Sequence, residues 1–211
     1  MQKINNRGIL TVVSGFAGSG KGTLMNRLLE DYDCYALSIS ATSRSPRPAE
    51  KEGVSYFFKT RGEFEKMIEN DELLEHAEYV GNYYGTPKEF VFSKLDEGFD
   101  VILEIEIQGA MQIREKFPDT LLVFVMPPGA QELRKRLTGR GTETPDVIEK
   151  RMKRAAAESE GIEKYDYIVI NDDIDKCTKQ LHGIIQAAHF TPTHQSEFIK
   201  EVRKELQDME E

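Results

Sequence analysis

Gly8-Ile9-Leu10-Thr11-Val12-Val13-Ser14 runs directly into Gly15-Phe16-Ala17-Gly18-Ser19-Gly20-Lys21, and this junction decides the fold. The first stretch is an apolar, β-branched run of the kind that forms a buried strand. The second fits G-x-x-x-x-G-K, in which glycines let successive backbone N–H groups converge on phosphate oxygens. Lys21 to about Glu30 supplies the helix that such a loop needs behind it, with Leu24, Leu28 and Leu29 on one face. The helix N-terminus adds a favourable dipole, and Lys21 adds a mobile positive charge for the terminal phosphates. An ordinary glycine-rich turn requires none of this context. Gly15, Phe16, Ala17, Gly18, Ser19, Gly20, Lys21, Gly22 and Thr23 are therefore the candidate triphosphate cradle.

Outward from this junction the chain keeps the same rhythm. Asp100–Ile107 (DVILEIEI), Thr120–Met126 (TLLVFVM) and Asp166–Ile170 (DYIVI) read as further buried strands. Helical stretches follow them, one after Gly109 through Lys116, one carrying Leu133 and Leu137, and one reaching about His189. Strands alternating with helices predict a parallel sheet with crossover helices, an α/β fold of the P-loop NTPase type.

Two stretches break the rhythm. Residues 38–94 hold the aromatic run Tyr56-Phe57-Phe58, a helix around Glu63–Asn70 and a tight turn over Gly81-Asn82-Tyr83-Tyr84-Gly85. They end in Thr86-Pro87-Lys88-Glu89, a helix start with Thr86 as capping hydroxyl and Glu89 placed for a capping box. Residues 138–161 are rich in arginine, lysine and acids and read as a mobile flap. The expected division is a core of 1–37, 95–137 and 162–190, a small mixed α+β insertion of 38–94, a lid of 138–161 and a C-terminal helix of 191–211. Phe198, Val202 and Leu206 share one face of that last helix, which is expected to pack on the domain or on a second subunit.

Composition narrows the function. With 211 residues, 39% hydrophobic and 31% charged, the chain has material for one domain with insertions and a real core. A formal net charge of -9 and a pI near 5.1 argue against general nucleic-acid binding, which needs a basic face, though not against a local basic pocket. No run approaches ~18 continuous apolar residues, so no membrane span is expected. The start lacks a signal-like stretch, and Cys34 and Cys177 are too few and too far apart for a disulfide framework or a metal knuckle. The cytoplasm is the expected compartment, with monomer and homodimer both open. His76, His182, His189 and His194 share no ligand spacing.

Ser40-Ala41-Thr42-Ser43-Arg44-Ser45-Pro46-Arg47 sets two arginines three apart around a proline. Guanidinium forks match the oxygens of a phosphate dianion, so a stiff loop of this kind can clamp one. Two solvated arginines would be the plainer reading of the segment alone, but Tyr56, Glu75 and Tyr83-Tyr84 follow it. The order S-x-T-x-R-x-P-R, G-x-x-Y, L-L-E-x-A-x-Y-x-G-N-Y-Y-G-T, I-Q-G, G-R-G-T-E-T and Asn171-Asp172-Asp173 resembles the guanylate kinase family, from about Gly8 to Ala188.

The resemblance implies ATP and GMP as substrates, Mg²⁺ as the cofactor, and transfer of the γ-phosphoryl group of ATP to GMP. It implies that Arg44, Arg47, Tyr56 and Tyr84 hold the GMP phosphate, and that Ser40, Glu75 and Thr86 read guanine, with Glu106 near the base. Arg136 and Asn171 fall on the ATP side, and Arg140 and Arg151 close over the triphosphate. Lys21, Arg44, Arg140 and Arg151 form the expected catalytic set. The chemistry fits, because guanine N1–H and N2–H₂ are adjacent donors that one carboxylate accepts together. Adenine offers no such pair, and a site built on hydrogen bonds rejects an analogue by ~10⁴ or more.

Two departures from the family pattern bear on the metal. Gly22 stands where many P-loops carry the Ser or Thr that holds Mg²⁺, so phosphates, water and a strand carboxylate are expected to hold the ion. Glu104-Ile105-Glu106 replaces the aspartates of many members, and Glu104 is expected near the metal, directly or through water, or near an arginine. A structural carboxylate at a strand end is the plainer reading of Glu104, a turn residue capping the next helix that of Asn171, and a solvated helix face that of Arg154. Two rival functions remain. A non-catalytic module of the same fold typically has a degraded P-loop, whereas Gly15, Gly20 and Lys21 are intact; a kinase for another nucleoside monophosphate would not need Glu75 with Ser40.

Overall fold

The computed structural model describes residues 7–47, 49–79, 81–139 and 144–209. It opens with the expected unit, β1 (Leu10–Gly15) and α1 (Lys21–Asp31), and continues into a short strand β2 (Tyr35–Leu37). A second group follows, comprising β3 (Ala41–Thr42), β4 (Phe57–Phe58), α2 (Arg61–Glu69), β5 (Leu73–Tyr79) and β6 (Asn82–Pro87). The chain then forms α3 (Lys88–Asp96), β7 (Asp100–Glu104), α4 (Ile107–Lys116), β8 (Leu121–Met126) and α5 (Ala130–Gly139). It ends with α6 (Pro145–Ser159), β9 (Tyr167–Ile170), α7 (Ile174–Ala188) and α8 (Ser196–Asp208).

The main sheet is parallel, in the order β2-β7-β1-β8-β9. Side chains alternate across a strand, so each central strand feeds two cores. Val12, Val101, Leu103, Leu122 and Phe124 join the side covered by α3, α4, α5 and α6. Val13, Ile102, Val123 and Val125 join the opposite side, under α1 and α7. Burial on both faces is why these strands are near-continuous apolar runs in sequence. Each fully buried Val, Leu or Ile contributes roughly 1.5–3 kcal/mol, which anchors the sheet ends that carry the loops.

One buried carboxylate ties together the end of the sheet opposite the cradle, where the strands begin. Asp100 accepts hydrogen bonds from the Ile9 amide at 2.8 Å and from Gln186 Nε2 at 3.0 Å, and its other contact is His189 Nε2 at 2.8 Å. The carboxylate thereby joins the entry to β1, the start of β7 and the end of α7, and these partners offset its desolvation.

The smaller sheet has the order β4-β3-β6-β5, with β6 antiparallel to both neighbours. Ala41, Phe64 and Leu73 form its own buried cluster, and α4 of the main body packs against β5.

Several local expectations are corrected. Tyr35–Leu37 is a strand that three residues at a sheet edge were too short to announce. The strand expected to reach Ile107 stops at Glu104, and Ile107 opens α4. Tyr83, Tyr84 and Gly85 lie in β6 rather than in a turn, which leaves the reversal at Gly81, whose φ of 73° suits glycine. Helix α3 begins at Lys88 without a side-chain cap, because the Thr86 hydroxyl is spent elsewhere. The capping box belongs instead to α2, where Thr60 Oγ1 accepts from the Glu63 amide at 3.2 Å and Glu63 Oε2 accepts from the Thr60 amide at 2.6 Å. Helix α8 forms over Ser196–Asp208, with Phe198 and Val202 of its apolar face half-buried and Leu206 59% exposed. Among the described residues no helix is long and apolar enough to cross a membrane.

The Thr60 cap gives a direct check on the smaller sheet's helix. Thr60→Ala removes the hydroxyl arm and should cost about 1 kcal/mol in urea unfolding. A midpoint equal to the parent's would show that the box contributes nothing.

Candidate active site

The cradle is built by steric exclusion. A Cβ on Gly15 would lie 2.1 Å from the Val125 carbonyl oxygen, one on Gly20 2.4 Å from Asn171 Nδ2, and one on Gly18 2.9 Å from Leu137 Cδ2. Gly18 and Gly20 also have φ near 90°. Only glycine therefore lets the loop lie against β8, α5 and the turn after β9. Asn171 Nδ2 donates to the Ser19 carbonyl at 2.9 Å, and Arg136 donates to the Ser19 carbonyl at 3.3 Å and to the Asn171 carbonyl at 2.8 Å. Glu132 fixes the other edge of that guanidinium, accepting from Arg136 Nε at 2.9 Å. Asp173, not Asn171, caps α7, accepting from the Lys176 amide.

The front of the cradle is polar. Lys21 Nζ donates to the Gly15 carbonyl at 2.5 Å and the Phe16 carbonyl at 3.3 Å. The Ser19 hydroxyl is buried without a protein partner. Phe16 turns inward and packs edge-on against Phe124, with centroids 5.1 Å apart, while Ala17, Gly22 and Thr23 are exposed to some degree.

The smaller sheet positions a second cluster. Arg44 follows β3 and spans Glu50 with both terminal nitrogens, at 3.0 and 2.8 Å. Its guanidinium carbon lies 5.5 Å from the centre of the Tyr56 ring, and the Tyr56 and Tyr84 rings meet at 6.1 Å. Burial pushes the Tyr56 phenol up, so it remains a proton donor at neutral pH. Arg47 is exposed at its side chain and donates its amide to Glu50 at 2.8 Å. Ser40 stands just before β3, in the same group of loops.

Glu75 is the buried charge of this cluster, 6% exposed. A register shift between Leu73 and His76 places a bulge in β5 at this point, the device by which a strand re-aims one side chain. Thr86 Oγ1, on the paired strand β6, donates to Glu75 Oε1 at 2.7 Å. Behind Glu75 stands Gly109 of α4, where a Cβ would lie 2.8 Å from Glu75 Oε2. Gln112, one turn on, clamps the His76 backbone from both sides. Burial raises the Glu75 carboxyl above its usual range, opposed by the Thr86 hydrogen bond and the charge of Lys116.

Glu104 ends β7 beside β1, with its carboxylate raised by surrounding protein and lowered by the charge of Lys21. Its side chain remains open to solvent. Glu106, at the N-terminus of α4, pairs with Arg154 of α6, which also holds Glu158 at 2.7 Å. The segment expected to be a polar flap is in large part a regular helix, α6, whose Ile148 and Ala155 are buried in the main core. Arg151 lies half-buried on that helix, and Arg140 lies outside the described residues. Among the described residues no group of three or more acidic, histidine or cysteine side chains forms a metal cage.

The roles of Glu50, Gly109 and Gln112 escaped the sequence reading. Glu50 sits within reach of the Arg44–Arg47 pair in sequence, so an acid three residues past the second arginine was the available signal. Gly109 entered only as the last residue of the I-Q-G motif and Gln112 carried no signal, since their role exists only once α4 meets β5.

A glycine cradle at the end of β1, together with a cluster of arginine, tyrosine and buried carboxylate on a separate small sheet, defines a P-loop nucleotide-binding protein. Residues 7–188 match the family model for guanylate kinase. A guanylate kinase of Halalkalibacterium halodurans is 52% identical over 183 residues, 87% of this chain and 90% of that protein. One of Lactococcus lactis is 48% identical over 187 residues, 89% of this chain and 91% of its own. The crystal structure of guanylate kinase from Anaplasma phagocytophilum aligns with a TM-score of 0.70 at 35% identity, covering 88% of each chain. The chain belongs to the guanylate kinase family, and that membership makes it an ATP:GMP phosphotransferase.

The raised carboxyl of Glu75 has a consequence for stability. Ionisation of Glu75 is less favourable in the folded chain, so stability falls as the pH rises through the raised value and is recovered below the unfolded one. Glu75→Gln keeps an acceptor for Thr86 and removes that burden. Its melting temperature should exceed the parent's at pH 7.5, with the gap closing below about pH 4. A gap independent of pH would contradict the assignment.

Proposed function

We propose that the transfer runs between the two clusters, with the triphosphate of ATP on Gly15–Thr23 and the phosphate of GMP on Arg44, Arg47, Tyr56 and Tyr84. The observation that carries this reading is the buried Glu75, aimed by a strand bulge, held by Thr86 and backed by Gly109. A carboxylate is costly to bury and is suited to the paired N1–H and N2–H₂ donors of guanine. In this reading Ser40 and Thr86 complete the base reader, with Glu106 near the base.

The phosphate of GMP is already ionised, so no general base is required. Catalysis is positioning and charge stabilisation. Lys21 exchanges the Gly15 and Phe16 carbonyls for phosphate oxygens, and the amides of the cradle converge on the same group. Arg151, with Arg140, neutralises charge on the phosphoryl group in flight. Arg136 and Asn171 act on the ATP side by holding the Ser19 carbonyl, which sets the shape of the loop. Glu104 is a hard oxygen donor, and Thr23 a hydroxyl on the exposed first turn of α1; this set fits a magnesium ion that keeps most of its water. Bound there with ATP, the ion would neutralise charge on the β- and γ-phosphates.

The units expected from sequence suit this division of labour, with residues 38–94 as the GMP-binding insertion and 138–161 as the lid. Free Cys34 and Cys177 accord with a reducing cytoplasm. ATP and GMP are the partners in this reading, and neither nucleic acid nor membrane is. The chain acts as a monomer or a homodimer.

Lys21→Ala should lower ADP release with ATP and GMP by at least about 10²-fold while the melting temperature stays at the parent's value. Turnover near the parent's would remove the cradle from the mechanism. In the same assay Glu75→Gln should reduce the preference for GMP over AMP by about 10²-fold or more. A preference equal to the parent's would mean that another group reads the base.

A further inference from the structure

Glu50 is bound more closely to the proposed phosphate clamp than to anything else. Its Oε2 accepts from Arg44 Nη1 at 3.0 Å and from the Arg47 amide at 2.8 Å, and its Oε1 accepts from Arg44 Nη2 at 2.8 Å. The Glu50 amide in turn donates to the Arg47 carbonyl at 2.9 Å. Both side chains of the ion pair are only 17% exposed. The fork raises the Arg44 guanidinium and holds the Glu50 carboxyl below its usual range, so both stay charged.

A count of donors shows what this leaves. Arg44 has five N–H groups. Nη1 spends both of its own, on the Ser45 carbonyl at 2.7 Å and on Glu50, and Nη2 spends one on Glu50. The Nε–H and the second Nη2–H are taken by neither Glu50 nor Ser45, and they lie on one edge of the planar group, spaced to bridge two oxygens of one phosphate; the Tyr84 hydroxyl also hydrogen-bonds the guanidinium. Tyr56 lies against the guanidinium face, and Tyr84 stands beside it.

We propose that Glu50 is a positioning residue for the acceptor nucleotide: it occupies the end-on fork of Arg44 and the amide of Arg47, and so presents the side-on edge of Arg44 to the 5′-phosphate. This rests on the assignment of Arg44 as a phosphate ligand. Net charge and positioning make opposite predictions. If Glu50 only subtracted positive charge, or stood in for the phosphate and had to be expelled, its neutralisation would tighten GMP. If it orders the clamp, neutralisation frees a long side chain with much rotamer freedom and loosens GMP.

The test uses the full-length chain with Glu50→Gln, Glu50→Asp and, in parallel, Arg44→Ala. Steady-state kinetics give the KM for GMP and for ATP separately, and competition gives the affinity for guanosine, which lacks the phosphate. Glu50→Gln should raise the KM for GMP by about tenfold, with kcat falling much less and the guanosine affinity and ATP KM held. Glu50→Asp, which keeps the charge on a shorter reach, should fall between. A lower or equal KM for GMP in Glu50→Gln would overturn the proposal, as would equal weakening of GMP and guanosine, the mark of a collapsed loop. If Arg44→Ala raises the KM for GMP and Glu50→Gln does not, the inference about Glu50 fails alone. If Arg44→Ala leaves it unchanged, the phosphate assignment fails first and the inference with it.

Discussion

Everything in this molecule depends on how closely the backbone of Gly15–Gly20 is allowed to approach its neighbours. The loop lies where a single Cβ at Gly15 would meet the Val125 carbonyl and one at Gly20 would meet Asn171. That closeness is possible because β1 is the middle strand, paired on both sides to β7 and β8, and buried on both faces. The sheet is thus the rigid support for a row of amides, and Arg136 and Asn171 brace the loop at the Ser19 carbonyl. Side chains matter to the cradle mainly by their absence at three positions and their reach at two.

Carboxylates in the structure do different work according to what surrounds them. Asp100 is buried among donors that the protein itself provides, and joins parts of the core. Glu75 is buried with one hydroxyl on one of its oxygens, leaving acceptor capacity that a guanine edge can use. Glu104 ends its strand near Lys21, whose charge opposes the rise that burial imposes on its carboxyl. Glu106 has Arg154, so its charge is balanced across to α6. Identity alone, Asp or Glu, explains none of these differences; the donor count around each oxygen does.

Much of this was legible in sequence. The cradle could be read because strand, turn and helix occur consecutively, and the buried strands because both of their faces are apolar. The arginine pair and Glu75 were read from motif order rather than from periodicity. What could not be read depends on contacts between distant segments. Thr86 looked like a helix cap because a threonine before Pro87 is one in most local contexts, yet its hydroxyl is taken by Glu75, eleven residues earlier and on a paired strand. Tyr83-Tyr84 between glycines looked like a turn, and pairing with β3 and β5 made it a strand. Strand β2 is legible only as the partner of β7. The apolar stripe of α8 announced a helix, but not that Phe198 and Val202 would be half-buried while Leu206 stays exposed.

The wall behind Glu75 belongs to a different body from Glu75 itself. The carboxylate hangs from β5 of the small sheet, whereas Gly109 and Gln112 are on α4 of the main core. Any widening of the seam between them unpacks the carboxylate from the rear. Solvent then reaches it and its proton affinity drops toward that of a free glutamate. The ionisation of one side chain thus reports how far apart the two halves stand, and a carbonyl-stretch or NMR titration of Glu75 would serve as a gauge of cleft opening that needs no added label on the backbone.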